Sequence, residues 1–124
     1  MAKILIVDDE KIIANTMQRV LVRAEHVVST ANNGLEAIAL LDQNRDSPFD
    51  LVFMDLLMPE IGGSEVLDII KKKWPSTKVL MMTAYGDLSA REDLLRRGAA
   101  RVLSKPFDDM TKIPALAADI LGQN

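Results

Sequence analysis

The sequence predicts an α/β fold, a doubly wound parallel sheet of five strands with helices on both faces. Two observations carry this expectation. Short apolar runs, such as ILIV at residues 4–7 and LVFM at 51–54, alternate five times with stretches of helical periodicity. The runs are apolar at successive rather than alternate positions, as strands buried on both faces require. Helices that cross between parallel strands supply the two covering layers.

Taken in order, Lys3–Val7 is the first strand. Ile13, Met17, Val20, Leu21 and Ala24 then recur on one helical face. His26–Thr30 is a short strand rich in β-branched residues. Asn32-Asn33-Gly34 precedes a second helix with Ala37, Ile38 and Leu41 inward, and Asn44–Pro48 is a polar loop. Leu51–Met54 is the third strand and Met58–Gly63 a loop. Ser64 is positioned to cap a third helix, Glu65–Lys73, which Pro75 ends. Lys78–Met82 is the fourth strand. Asp87–Arg97 is the fourth helix, closed by Gly98 in the left-handed conformation. Arg101–Ser104 is the fifth strand. Pro114 tolerates only the first turn of a helix, so the last helix starts near Lys112 with Thr111 as its cap and ends by Leu121. Asp108–Met110 is expected as a turn. Five strands joined by right-handed crossovers leave few arrangements. The usual one is the flavodoxin-like order 2-1-3-4-5, which sets the first and third strands side by side. The (βα)5 pattern occupies residues 1–124 as one domain.

Composition narrows the function. The chain has no cysteine, which removes disulfides, thiolate nucleophiles and cysteine metal sites. A net charge of −3 without a long basic run argues against direct binding to nucleic acid. No apolar run reaches membrane-spanning length and MAKILIV lacks the shape of a signal peptide, so a cytoplasmic location is expected. His26 is a lone histidine and reads as a half-buried strand residue. Lys71-Lys72-Lys73 suits the negative end of a helix. Trp74 is expected to cover the end of the sheet away from the site. Glycine-rich nucleotide loops are absent.

Chemistry gathers at the carboxyl ends of the strands, where such sheets bind ligands. Asp8 and Asp9 follow the first strand and Asp55 follows the third. Three carboxylates in one crevice raise one another's pKa, so a cation belongs there. Mg²⁺, or Mn²⁺ in its place, suits the all-oxygen donor set. Thr83 adds a hydroxyl after the fourth strand, and Lys105, after the fifth, an ammonium. That set suits phosphoryl chemistry, with Asp55, alone on its strand, as the nucleophile. Asp8 and Asp9 alone would read as a cap for the first helix, a reading that leaves Asp55 and Lys105 unexplained.

The motifs ILIVDDE at 4–10, NGLEAI at 33–38, DLVFMDLLMP at 50–59, MMTAYGD at 81–87, RRGA at 96–99 and SKPF at 104–107 stand in order at these strand ends. In this the chain resembles the receiver domains of two-component response regulators, the CheY-like superfamily, over essentially its whole length. The resemblance implies that Asp55 accepts a phosphoryl group from a histidine kinase or a histidine phosphotransfer protein. It implies Mg²⁺ held by Asp9 directly, Asp8 mainly through water, Asp55, and the backbone carbonyl of Leu57. Lys105 would pair with the phosphoryl group and Thr83 would bond one of its oxygens. Ile13, Thr16 and Pro106-Phe107 would border the donor's approach. The face of the fourth helix, fifth strand and fifth helix would meet an output domain or a second receiver.

Two positions depart from the family pattern. Val102 stands where many receivers carry an aromatic residue that reports phosphorylation, and Ile61-Gly62-Gly63 stands where Asp-Gly is frequent. Leu57 and Tyr85, two residues after Asp55 and Thr83, would slow loss of the phosphoryl group by bulk and apolarity. Two other function classes stay open on the residues: a receiver-like interaction module that does not use phosphorylation, and a Mg²⁺-dependent phosphohydrolase.

Overall fold

The computed structural model describes residues 1–84, 89–105 and 109–122. Five strands, β1 (Lys3–Val7), β2 (Val27–Ala31), β3 (Leu51–Asp55), β4 (Lys78–Thr83) and β5 (Arg101–Ser104), form one parallel sheet in the order β2-β1-β3-β4-β5. The helices are α1 (Lys11–Arg23), α2 (Gly34–Gln43), α3 (Gly63–Lys73), α4 (Arg91–Arg96) and α5 (Ile113–Leu121). The expected architecture and strand order are therefore present.

Side chains of successive strand residues point to opposite faces, and they divide the core accordingly. Ile4, Ile6, Leu51, Phe53, Leu80 and Met82 pack beneath α1 and α5, against Met17, Leu21, Ala117 and Ile120. Leu5, Val7, Val52, Met54, Val79, Met81 and Val102 pack on the other face against α2, α3 and α4. All of β3 is buried, as a central strand covered on both sides should be.

Several boundaries differ from expectation. α1 ends at Arg23, so Ala14 joins Met17 and Leu21 in the core while Ala24 lies beyond the helix and exposed. His26 donates its backbone N–H to Leu21 and Glu25 donates to Val22, with Glu25 at φ 70. This is the helix stop that Gly98, at φ 110, makes after α4. β2 consequently starts one residue late, at Val27. His26 is half-buried, and its Nδ1 accepts the N–H of Ala2 at 3.0 Å. α4 is shorter than expected, with the non-helical Ala90 at its cap; the expected start at Asp87 lies outside the described residues. α5 starts at Ile113 with Lys112, not Thr111, at its cap position, and Asp109 caps the short turn before it. Its carboxylate accepts from Thr111 N–H at 2.9 Å and opens a 3-10 turn at Met110–Lys112. Asp108 lies outside the described residues.

The boundary that shapes the site is at α3. Gly62, not Ser64, is its cap, and Glu65 accepts the Gly62 N–H at 3.3 Å. The helix can begin early because residue 63 has no side chain. Gly63 donates to the Leu56 carbonyl at 2.9 Å, and a Cβ there would lie 2.2 Å from the Asp55 carbonyl oxygen. Backbone atoms cannot move aside cheaply, so glycine at 63 lets α3 seat directly on the residue that ends β3. Gly63→Ala should therefore cost about 1–3 kcal/mol, the usual range for overpacking. Gly62→Ala, whose new Cβ meets nothing closer than 3.6 Å, should cost under about 1 kcal/mol. Urea unfolding of both variants measures the difference.

Candidate functional site

β1 and β3 run side by side with Val7 opposite Met54, so the next residues, Asp8 and Asp55, stand together at the sheet's carboxyl edge. By alternation Asp8 follows Ile4 and Ile6, Asp55 follows Leu51 and Phe53, and Lys105 follows Leu103. All three leave the sheet on the α1/α5 side. Lys105 is anchored by its backbone N–H to the Thr83 carbonyl at 2.8 Å.

The three side chains meet in the interior. Asp8 is wholly buried, and Asp55 and Lys105 nearly so. Lys105 Nζ donates to both Asp8 oxygens, at 3.1 and 2.9 Å, and to Asp55 Oδ2 at 3.3 Å. A fourth contact, 2.7 Å to Glu10 Oε1, comes from the residue before α1. Asp8 Oδ1 also accepts the Glu10 N–H at 2.9 Å, which holds that turn to the cluster.

The electrostatics follow from burial and excess acid. Burial raises the Asp55 pKa; Lys105 pulls it down, but Asp8 and Asp9 push it up again, and it settles at about 7. For Lys105, burial alone would lower the pKa. Hydrogen bonds to Glu10 and Asp8, with the charges of Asp55 and Asp8, outweigh burial and hold it above the ordinary lysine value. The crevice therefore carries a fixed ammonium and a surplus of carboxylate.

That surplus fits a hard divalent cation. Carboxylate oxygens of Asp8, Asp9, Glu10 and Asp55 all lie within 4.8 Å of one another. Every donor is oxygen, as Mg²⁺ prefers. Asp9, Glu10, Ile13, Asp55, Leu57, Ala84 and Lys105 line an open crevice there.

Asp8, Asp9, Asp55 and Lys105 are thus brought together as expected, and Leu57 lies on the same rim. Thr83 is buried, and its hydroxyl lies 3.4 Å from the carbonyls of Ala84 and Leu103. By alternation it follows Val79 and Met81 on the α4 side. Ile13 is half-buried and does double duty, packing on the core and lining the crevice. Tyr85, Pro106 and Phe107 lie outside the described residues. Glu10 was legible only as the third acid of DDE; nothing in its spacing pointed to Lys105, 95 residues away by subtraction of the two positions.

The chain matches the family model for the response regulator receiver domain over residues 4–117. It is 36% identical over 117 residues to the chemotaxis protein CheY of Listeria monocytogenes, covering 94% of this chain and 96% of that protein. It is 31% identical over 122 residues to the response regulator protein FleR of Pseudomonas aeruginosa, covering 98% of this chain but only 25% of FleR. The receiver domain of NtrX from Brucella abortus matches in structure with a TM-score of 0.86 at 30% identity, covering 98% of this chain and 99% of that one. The chain belongs to the response regulator receiver family. Receiver domains are signalling domains of two-component systems rather than enzymes in general, and they bind Mg²⁺ at an acidic pocket. Response regulators interact with histidine kinases and with output domains.

The raised Asp55 pKa has a sign that can be checked. Between the ordinary value of 3.8 and about 7, the folded protein binds a proton at Asp55 that the unfolded chain has lost. Stability from this group therefore falls as pH rises through that window. In the presence of EDTA, Asp55→Asn should gain stability relative to wild type from pH 4 to pH 8. Thermal unfolding at the two pH values reads the change; an equal difference at both contradicts the assignment.

Proposed function

We propose that residues 1–124 form one receiver unit in which Asp55 is the phosphoacceptor. The observation that carries this reading is the meeting of Asp55 with Asp8 and Lys105 at the carboxyl edge of the sheet. Asp55 Oδ attacks the phosphorus of a phosphohistidine on a histidine kinase or phosphotransfer protein. The O–P bond forms as the N–P bond breaks, and the imidazole leaves with the electron pair. The attacking carboxylate must be ionised, so positive charge beside Asp55 favours the reactive form.

Asp8, Asp9, Asp55 and the Leu57 carbonyl would hold Mg²⁺, or Mn²⁺ in its place. When bound, the metal neutralises charge on the transferring phosphoryl oxygens. Lys105, beside Asp55, would neutralise charge on the phosphoryl oxygens as well. Asp8, engaged by Lys105, would contribute mainly through water, and the exposed Asp9 would be the direct ligand.

Phosphorylation adds nearly one further negative charge and three acceptor oxygens at Asp55. Thr83 then turns its hydroxyl toward one of them, leaving its weak contacts with Ala84 and Leu103. Lys105 shifts with it, because its N–H is tied to the Thr83 carbonyl. The α4-β5-α5 surface changes in response and meets an output domain or a second receiver. Val102 is a small residue packed in the core with Leu94 and Ala99, so the change runs through the backbone near Thr83 rather than through a rotating ring. Among the described residues no helix is long and apolar enough to cross a membrane, consistent with action in the cytoplasm. Leu57, 69% exposed on the rim, slows hydrolysis of phospho-Asp55 by crowding attacking water.

Incubation with Mg²⁺ and acetyl phosphate should add one labile phosphoryl group, seen by mass spectrometry, and Asp55→Asn should add none. Absence of an adduct in wild type favours an interaction module that does not use phosphorylation. Multiple turnover of external phosphoesters favours a phosphohydrolase. Leu57→Asn should shorten the lifetime of the adduct.

A further inference from the structure

The phosphoacceptor reading leaves one carboxylate of the rim without a role. Glu10 stands at the cap position of α1, yet its side chain makes no cap bond there. Its Oε1 instead makes the shortest of the ammonium's carboxylate contacts, 2.7 Å against 2.9 Å for Asp8 and 3.3 Å for Asp55. An ammonium has three protons to donate. Lys105 already faces four acceptor oxygens: two on Asp8, one on Asp55 and one on Glu10. Any oxygen added at Asp55 can engage Lys105 only by displacing one of these.

Burial decides which partner yields. The Asp8 side chain is 0% exposed and grips Nζ through both oxygens. Stripping it of its cation would leave a buried, uncompensated charge, a costly outcome. The Glu10 side chain is 59% exposed. Water can replace Lys105 around it at small cost, since exposed ion pairs contribute little.

We propose that Glu10 is a positioning residue, an exchangeable latch that holds Lys105 in the resting site and competes with the phosphoryl group on Asp55 for it. The proposal rests on Asp55 being the phosphoacceptor. Glu10 keeps the ammonium aimed into the crevice before phosphorylation and weakens its grip on the phosphoryl oxygens afterwards. It thereby tunes how strongly the phosphorylated state is favoured, without touching the reacting atoms.

The test uses beryllofluoride as the phosphoryl analogue, on the full chain at saturating Mg²⁺. Wild type is compared with Glu10→Gln, which removes the charge, and Glu10→Asp, which keeps the charge but shortens the reach. Both variants should bind beryllofluoride about two- to five-fold more tightly than wild type, the equivalent of one exposed ion pair. Without beryllofluoride, Glu10→Gln should bind Mg²⁺ slightly more weakly, through the loss of one nearby charge, and Glu10→Asp, which keeps that charge, should show no such loss. The Lys105 ammonium resonance should shift on analogue binding by less in the variants than in wild type, because no latch is broken. Unchanged beryllofluoride affinity in both variants overturns the latch. So does tighter binding in Glu10→Gln alone, which reports bulk charge rather than contact. A marked loss of Mg²⁺ affinity in Glu10→Asp as well as in Glu10→Gln makes Glu10 a metal ligand and overturns it too. If wild type itself binds no beryllofluoride, the phosphoacceptor reading has failed, and the latch fails with it.

Discussion

A single buried ammonium organises the working end of this molecule. Lys105 arrives from β5 and is held by carboxylates that follow β1 and β3. Those acids could not be buried together without it, because each would raise the pKa of the others. Removing one partner from a buried ion cluster typically costs about 3–5 kcal/mol, as the remaining charge stays uncompensated. The cluster thus ties three strands of the sheet at one edge, and it does so with charge rather than apolar packing.

The scaffold makes that cluster possible through alternation and close approach. Asp8, Asp55 and Lys105 share the α1/α5 side because each continues the parity of the apolar residues before it. Gly63 lets α3 rest against the Asp55 backbone, so the central acid is held by main-chain contacts as well as by Lys105. Thr83 belongs to the opposite parity and rests between strand ends. Its hydroxyl makes only long contacts there, at 3.4 Å.

The cation count explains why the site calls for a metal. Four carboxylates lie close together and one ammonium answers them. Burial, with the charges of Asp8 and Asp9 added, raises the pKa of Asp55 to about 7 even beside Lys105. Away from the site, Arg97 carries another ionic cluster. It bonds Asp68 of α3 at 2.6 and 3.0 Å and Asp93 of α4 at 3.1 Å. These bonds link the C-terminal end of α4 to α3.

Much of the fold was legible in the sequence, because burial on both faces writes continuous apolar runs and crossover helices write a 3.6-residue period. Strand order, the identities of Asp8, Asp9, Asp55 and Lys105, and the glycine stop at Gly98 all followed from local pattern and topology. The errors fell where a local signal lost to a contact made elsewhere. Ser64 looked like a cap, but Gly63 seats against Asp55 and starts the helix sooner. Thr111 gave way as the cap of α5 because it lies in the short turn that Asp109 caps, and Glu25 took a left-handed conformation that sequence would assign to glycine. The grip of Glu10 on Lys105 and the contacts of the Thr83 hydroxyl with Ala84 and Leu103 were decided only by tertiary structure. Each depends on where a side chain ends in space, and that is set by parity, burial and the packing of separate strands rather than by neighbours in the chain.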